Sequence, residues 1–112
     1  MASIFSFSTR SRERDEETDN GRFGRLRAHI ARVGAEIESE RAGLEARYRR
    51  EATDAAFLLE ALSNDDAPIR SQARAEHLTS SILRCEQRLA ALASQAELLN
   101  ELRSRLERFH RG

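Results

Sequence analysis

The sequence predicts an all-α fold: a long antiparallel two-helix hairpin, coiled-coil-like, completed as a bundle by self-association or by a partner. Three observations carry that reading. Apolar residues recur every three or four positions along most of the chain. The pattern stops once, at Leu62–Ser71 (LSNDDAPIRS), which holds the only proline. When the chain is folded back at that stretch, apolar positions on its two sides fall opposite one another.

Residues 1–20 read as a flexible N-terminal tail. Ile4, Phe5 and Phe7 come first, then a dense mixed-charge run from Arg10 to Asp19, with no period. Gly21 and Gly24 follow and weaken helix there. Such a segment is expected to stay mobile or to order only on a partner, and the Ile-Phe-Ser-Phe stretch has the make-up of a short docking motif.

The hairpin is expected over residues 21–112. Helix one, about 22–63, carries Phe23, Leu26, Ile30, Val33, Ile37, Leu44, Tyr48, Ala52, Ala55, Leu59 and Leu62. The extra four-residue step at Leu44–Tyr48–Ala52 acts as a stutter, so the mean period lies near that of a straight helix with a narrow stripe. The tip is expected at 63–68. Ser63, Asn64, Asp65 and Asp66 are turn and cap formers, Asp65 or Asp66 suits an N-cap, and Pro68 suits a first helical turn. Helix two, about 67–110, carries Leu78, Ile82, Cys85, Leu89, Leu92, Ala96, Leu99 and Leu106, with Arg103 in the slot before Leu106. Beside that stripe runs a second set, Ala91, Leu98, Leu102 and Phe109. Together the two sets are wider than a two-helix seam needs.

A short connection makes the helices antiparallel neighbours. Facing residues then have numbers adding to about 131, a sum set by the tip. Leu62 should meet Ile69, Tyr48 should lie near Ile82 and Leu83, Ile37 near Leu92, and Phe23 near Leu106 and Phe109.

Composition limits function. The chain has 112 residues, 34% charged and 39% hydrophobic, with five Phe, one Tyr and no Trp. That suits helices burying a stripe better than a thick globular core. Basic and acidic residues balance at 19 each, so the whole chain is not a polyanion binder. Every basic residue is Arg, as a GC-rich bacterial genome would favour. The single cysteine, Cys85, has no disulfide partner in the chain, which suits a reducing compartment. No apolar run approaches the roughly 20 residues needed to span a bilayer, and the start lacks a signal-peptide pattern. A cytoplasmic protein is expected.

The residues also argue against catalysis, metal binding and cofactor binding. His29, His77 and His110 have no ligand spacing with Cys85 or with one another. His77 is expected as a packed, hydrogen-bonded histidine opposite Asp54, and Cys85 as a small buried apolar residue. Glu40 and Glu51 interrupt the helix-one stripe beside Arg41, Arg47 and Arg50, and read as polar breaks that set register.

What remains is an interaction surface. Helix one's narrow stripe should be consumed by the hairpin, leaving Leu98, Leu102 and Phe109 surplus on helix two. Charge is also uneven along the chain. Residues 22–35 hold Arg22, Arg25, Arg27 and Arg32 and no acid, and residues 98–112 hold Arg103, Arg105, Arg108 and Arg111 against Glu101 and Glu107. Both segments belong to the open end of the hairpin. The tip region, by contrast, holds Asp54, Glu60, Asp65, Asp66 and Glu76 against Arg70 and Arg74.

The expected function is therefore a non-enzymatic protein–protein interaction module: an adaptor, assembly factor or structural subunit of a larger bacterial complex. It would act as a homodimer or within a hetero-complex. Leu98, Leu102 and Phe109 are the expected apolar contact, and Arg22, Arg25, Arg103, Arg105 and Arg108 its polar rim. An acidic protein surface fits that rim best. The acidic run Glu13–Asp19 could also fold back onto it. Two alternatives share the architecture: a stalk or chaperone component of a secretion or flagellar export apparatus, and a nucleic-acid-associated protein using the Arg cluster. The last is less favoured, because no nucleic-acid-binding motif accompanies the arginines.

Overall fold

The computed structural model describes residues 2–64 and 69–111, and side chains over 11–64 and 69–110. It consists of two helices, α1 at Ala2–Leu62 and α2 at Ile69–Arg111, with no strand among the described residues. The fold is an all-α helical hairpin, as the spacing predicts. Two compact units divide it: Met1–Gly34 with Leu98–Gly112, and Ala35–Glu97.

α1 begins at Ala2, not near residue 22, so the stretch expected as an aperiodic tail is helical from residue 2 on. Arg and Glu are good helix formers, and opposite charges three or four apart support one another on a helix surface. Arg12 stands three and four residues from Asp15 and Glu16, Arg14 stands three from Glu17, and Asp19 pairs with Arg22 at 3.8 Å. Every side chain from residue 11 to residue 22 is exposed, so local charge and propensity hold residues 11–22, without packing. Among the described residues, the run Glu13–Asp19 reaches the open-end arginines only through Asp19 and Arg22 on the same helix. Gly21 and Gly24 lie within the helix, at a cost of about 1 kcal/mol each relative to Ala. The docking role read for Ile4, Phe5 and Phe7 falls on side chains outside the described residues.

α1 ends in a tightened turn. The Ser63 N–H donates to the Leu59 carbonyl at 3.1 Å, the Asn64 N–H donates to the Ala61 carbonyl at 3.3 Å, and the Ser63 hydroxyl donates to the Glu60 carbonyl at 2.7 Å. These bonds satisfy carbonyls that the end of a helix leaves open. The roles expected for Asp65, Asp66 and Pro68 lie outside the described residues. Ile69, expected against Leu62, is 85% exposed.

Within Ala35–Glu97 the buried apolar residues are Ile37, Leu78, Cys85 and Leu92, flanked by half-buried Leu44, Tyr48, Ala52, Ala55, Ile82 and Leu89. One phase differs from the sequence reading. Leu58 turns inward and Leu59 is 63% exposed. Adjacent leucines are equivalent to a pattern of apolarity, and only the facing helix decides which one is covered.

Polar contacts cross this thin seam. Arg88 donates to Glu40 through Nε at 2.6 Å and through a terminal nitrogen at 3.0 Å, a two-pronged pair on the exposed edge. The Tyr48 hydroxyl donates to Glu86 at 3.1 Å. Deeper in, Glu51 accepts from Arg47 Nε and from the Ser81 hydroxyl, both at 2.9 Å, while Arg47 also reaches the Ser81 oxygen at 3.2 Å. Ser81 is only 2% exposed. As α1 numbers rise from Glu40 through Tyr48 to Glu51, their α2 partners fall from Arg88 through Glu86 to Ser81, so the pairing is antiparallel. Glu40 and Glu51, read as polar breaks, each bond across to the other helix. Arg41 instead serves its own helix, pairing with Glu38 and with Glu45 at 2.7 Å. His77 is exposed, contrary to the packed role expected for it.

Hydrogen bonding tunes these groups. The Arg47 bond holds the Glu51 carboxyl below its ordinary pKa, helped by the Ser81 hydroxyl and by the charges of Arg47 and His77, while burial opposes them. The Arg88 bond likewise lowers Glu40, and the bond to Glu86 raises the Tyr48 hydroxyl. A carboxyl whose pKa is depressed on folding stabilises the fold above its unfolded pKa, and that contribution is lost as pH falls through the folded value. Stability should therefore decline below about pH 4.3, the ordinary glutamate value. Glu51→Gln should lower stability at neutral pH and flatten this acid limb, read by urea unfolding between neutral pH and pH 3. An acid limb of unchanged slope in the variant would show that Glu51 is not held ionised by its partners.

Candidate functional site

The unit Met1–Gly34 with Leu98–Gly112 is built from the N-terminal part of α1 and the last turns of α2. Its apolar residues step by three and four on both helices: Phe23, Leu26, Ile30 and Val33 on α1, and Leu99, Leu102, Leu106 and Phe109 on α2. That spacing keeps each set on one helix face. Among the described residues Leu106 is the buried apolar residue of this unit. The Phe23 ring meets the Phe109 ring edge-on, with centroids 5.4 Å apart, and also lies edge-on to His110 at 5.9 Å. The first of these contacts is the pairing the register predicts.

The two faces do not close on each other. They leave an open groove of about 600 Å³, walled by these eight apolar residues, with His29 and Arg105 as its polar lining. Leu102 is 43% exposed, Leu98 54% and Phe109 69%. The three residues expected as surplus are thus uncovered in the hairpin. Leu102 and Phe109 line the groove, and Leu98 lies outside it. The sequence reading missed the α1 wall. Phe23, Ile30 and Val33 are only half buried and Leu26 is exposed, so the α1 stripe is not consumed by the hairpin. The available signal was the second apolar set on helix two, which implies a seam too wide for one partner helix.

Over residues 22–35 and 98–112 arginines outnumber acids. Arg22, Arg25, Arg103, Arg105 and Arg108 are all exposed. Arg22 pairs with Asp19, and Arg103 donates to the Asn100 side-chain oxygen at 3.2 Å. Arg105 and Arg108 share a shallow hollow with Asn100, Glu101 and Ser104. Among the described residues no carboxylate lies within 4.0 Å of Arg25, Arg105 or Arg108. On the α1 side Arg32 donates to Nδ1 of the groove-lining His29 at 3.0 Å. The groove therefore has apolar walls, with His29 on the α1 side and the exposed guanidinium of Arg105 on the α2 side.

Elsewhere, in Ala35–Glu97, Phe57 is an exposed aromatic near Asp54 and Glu60, which the stripe pattern did not single out. Cys85 is buried and free. Among the described residues no group of three or more His, Cys, Asp or Glu side chains could hold a metal ion, and no helix is long and apolar enough to cross a membrane.

Burial separates scaffold from surface in the groove. Leu106→Ala should cost about 2–3 kcal/mol, the low end for a deleted core leucine, because an open site relaxes around the loss. Leu102→Asp should cost under about 1 kcal/mol, as for an exposed position, and keep full helicity. Urea unfolding with circular dichroism checks both, and the reverse order would mean that Leu102 belongs to the hairpin core. No protein-family model, curated protein or solved structure matches this chain.

Proposed function

We propose that this chain is a non-enzymatic protein–protein interaction module of a bacterial cytoplasm, an adaptor, assembly factor or structural subunit of a larger complex. It docks a protein partner in the open-end groove. One observation carries the reading: an apolar groove of about 600 Å³ between Phe23–Val33 and Leu99–Phe109, in which Leu26, Leu102 and Phe109 stay exposed. A contiguous exposed apolar surface with a polar rim is unfavourable in water, and it is the usual mark of a partner site. Leu102 and Phe109 supply the apolar contact, joined by Phe23 and Leu26, with Leu98 beside them. Arg22, Arg25, Arg103, Arg105 and Arg108 supply the rim, which steers and orients more than it binds.

A photo-crosslinking residue placed at position 102, and separately at exposed Arg49, tests this in cells expressing the full chain. Discrete protein adducts are expected from position 102 and not from position 49. No adducts, equal adducts from both positions, or adducts sensitive to nuclease would overturn the reading.

A further inference from the structure

We propose that the occupant of the groove is an acidic amphipathic helix of about three turns, supplied by a partner protein and packed as a third helix against α1 and α2. This rests on the docking function proposed above and names the partner's chemistry.

Shape argues for a helix. The walls Phe23–Val33 and Leu99–Phe109 each run about 15 Å, or three turns, at 1.5 Å per residue. Both walls are helix faces, whose backbone groups are already paired within their own helices. A ligand lying there finds no backbone partners, so it must satisfy its own N–H and C=O groups, and a helix does so. A β-strand would leave an unpaired edge. The steps of 3, 4 and 3 on both walls fit knobs spaced at i, i+3, i+7 and i+10 on the incoming helix.

Charge argues for acid. Arg105 lines the groove and shares a neighbouring hollow with Arg108, neither within ion-pair distance of a carboxylate among the described residues. Glu101 and Glu107 are not among the residues lining the groove. Carboxylates along the α2 edge of an incoming apolar stripe would meet these guanidinium groups, which favour carboxylate geometry. A second copy laid groove to groove would instead bring the two arginine rims together. The chain's own acids from Glu13 to Asp19 do not supply the stripe, because no large apolar residue lies between residues 11 and 22.

The test uses the full chain and three labelled peptides of equal length, read by fluorescence anisotropy. One is an apolar-striped helix with Glu on both flanks, the second has the same stripe with Arg flanks, and the third has the Glu composition with the stripe scrambled. The Glu-flanked helix should bind about tenfold or more tightly than either control, the sum expected of a few rim pairs. Leu102→Asp should abolish that binding, and Arg105→Glu with Arg108→Glu should reverse the flank preference. Equal binding of Glu- and Arg-flanked peptides, equal binding of the scrambled peptide, or no binding would overturn the proposal. So would equal competition by a duplex DNA, which would show that charge alone is read. A dimer in light scattering that Leu102→Asp dissolves would place a second copy in the groove and overturn it too. If the peptides fail while position 102 still yields protein adducts, the docking function stands and only this partner chemistry falls.

Discussion

The thinness of the seam between α1 and α2 governs this protein. Two helices can cover only one face of each other, and the buried apolar set among the described residues is Ile37, Leu78, Cys85, Leu92 and Leu106. At about 1.5–3 kcal/mol for each fully buried large side chain, such a seam holds little in reserve. Apolar contacts are also weakly directional, and a helix can slide along its neighbour by a turn at small cost. Polar contacts add direction. Glu51 meets the Ser81 hydroxyl in a nearly dry position, Glu40 takes two bonds from Arg88, and Tyr48 reaches Glu86. A one-turn slip would strand the Glu51 carboxylate, whose second oxygen already has no partner. Leaving a buried polar group unpaired costs about 1–3 kcal/mol, more when it is charged. The penalty falls on wrong registers, so these bonds specify the pairing more than they strengthen it.

The same thinness explains the open groove. A stripe of apolar residues on each of two helices is half covered when they pair and fully covered when a third element joins. In the unit that holds both chain ends, Phe23 with Phe109 makes the edge-on contact and Leu106 is buried, while Leu26 and Leu102 keep roughly half their surface in water. The arginines beside them stay exposed. The chemistry of the site follows from unfinished packing.

Most of this architecture was legible in the sequence because helix period and turn chemistry are local. The break at Leu62–Ser71, the antiparallel pairing and the exposed Leu98, Leu102 and Phe109 all came from spacing. What could not be read depended on the facing helix. The choice between Leu58 and Leu59 is invisible to a count of apolar residues. Ser81 is nearly fully buried yet polar, and only the matching interruption at Glu51 in the facing stripe hinted at it. Phe23, Leu26, Ile30 and Val33 were assigned to a closed seam, since periodicity shows that a face is apolar but not how much of it a neighbour covers. The helical start at Ala2 was hidden because the run Arg10–Asp19 has no apolar period to find, only charges spaced to support one another.

The most direct test of this account is chemical bridging of the two helices within one chain. With Cys85→Ala as background, Glu40→Cys and Arg88→Cys would be treated with a short bis-maleimide at low protein concentration, and the product mass measured. The account predicts a single chain carrying one internal bridge, because Glu40 and Arg88 are hydrogen-bonded across the seam. A product consisting only of bridged pairs of chains would mean that helices exchange between molecules. Two unreacted second arms on one chain would mean that the antiparallel register is wrong. Either result would contradict the hairpin on which the groove depends.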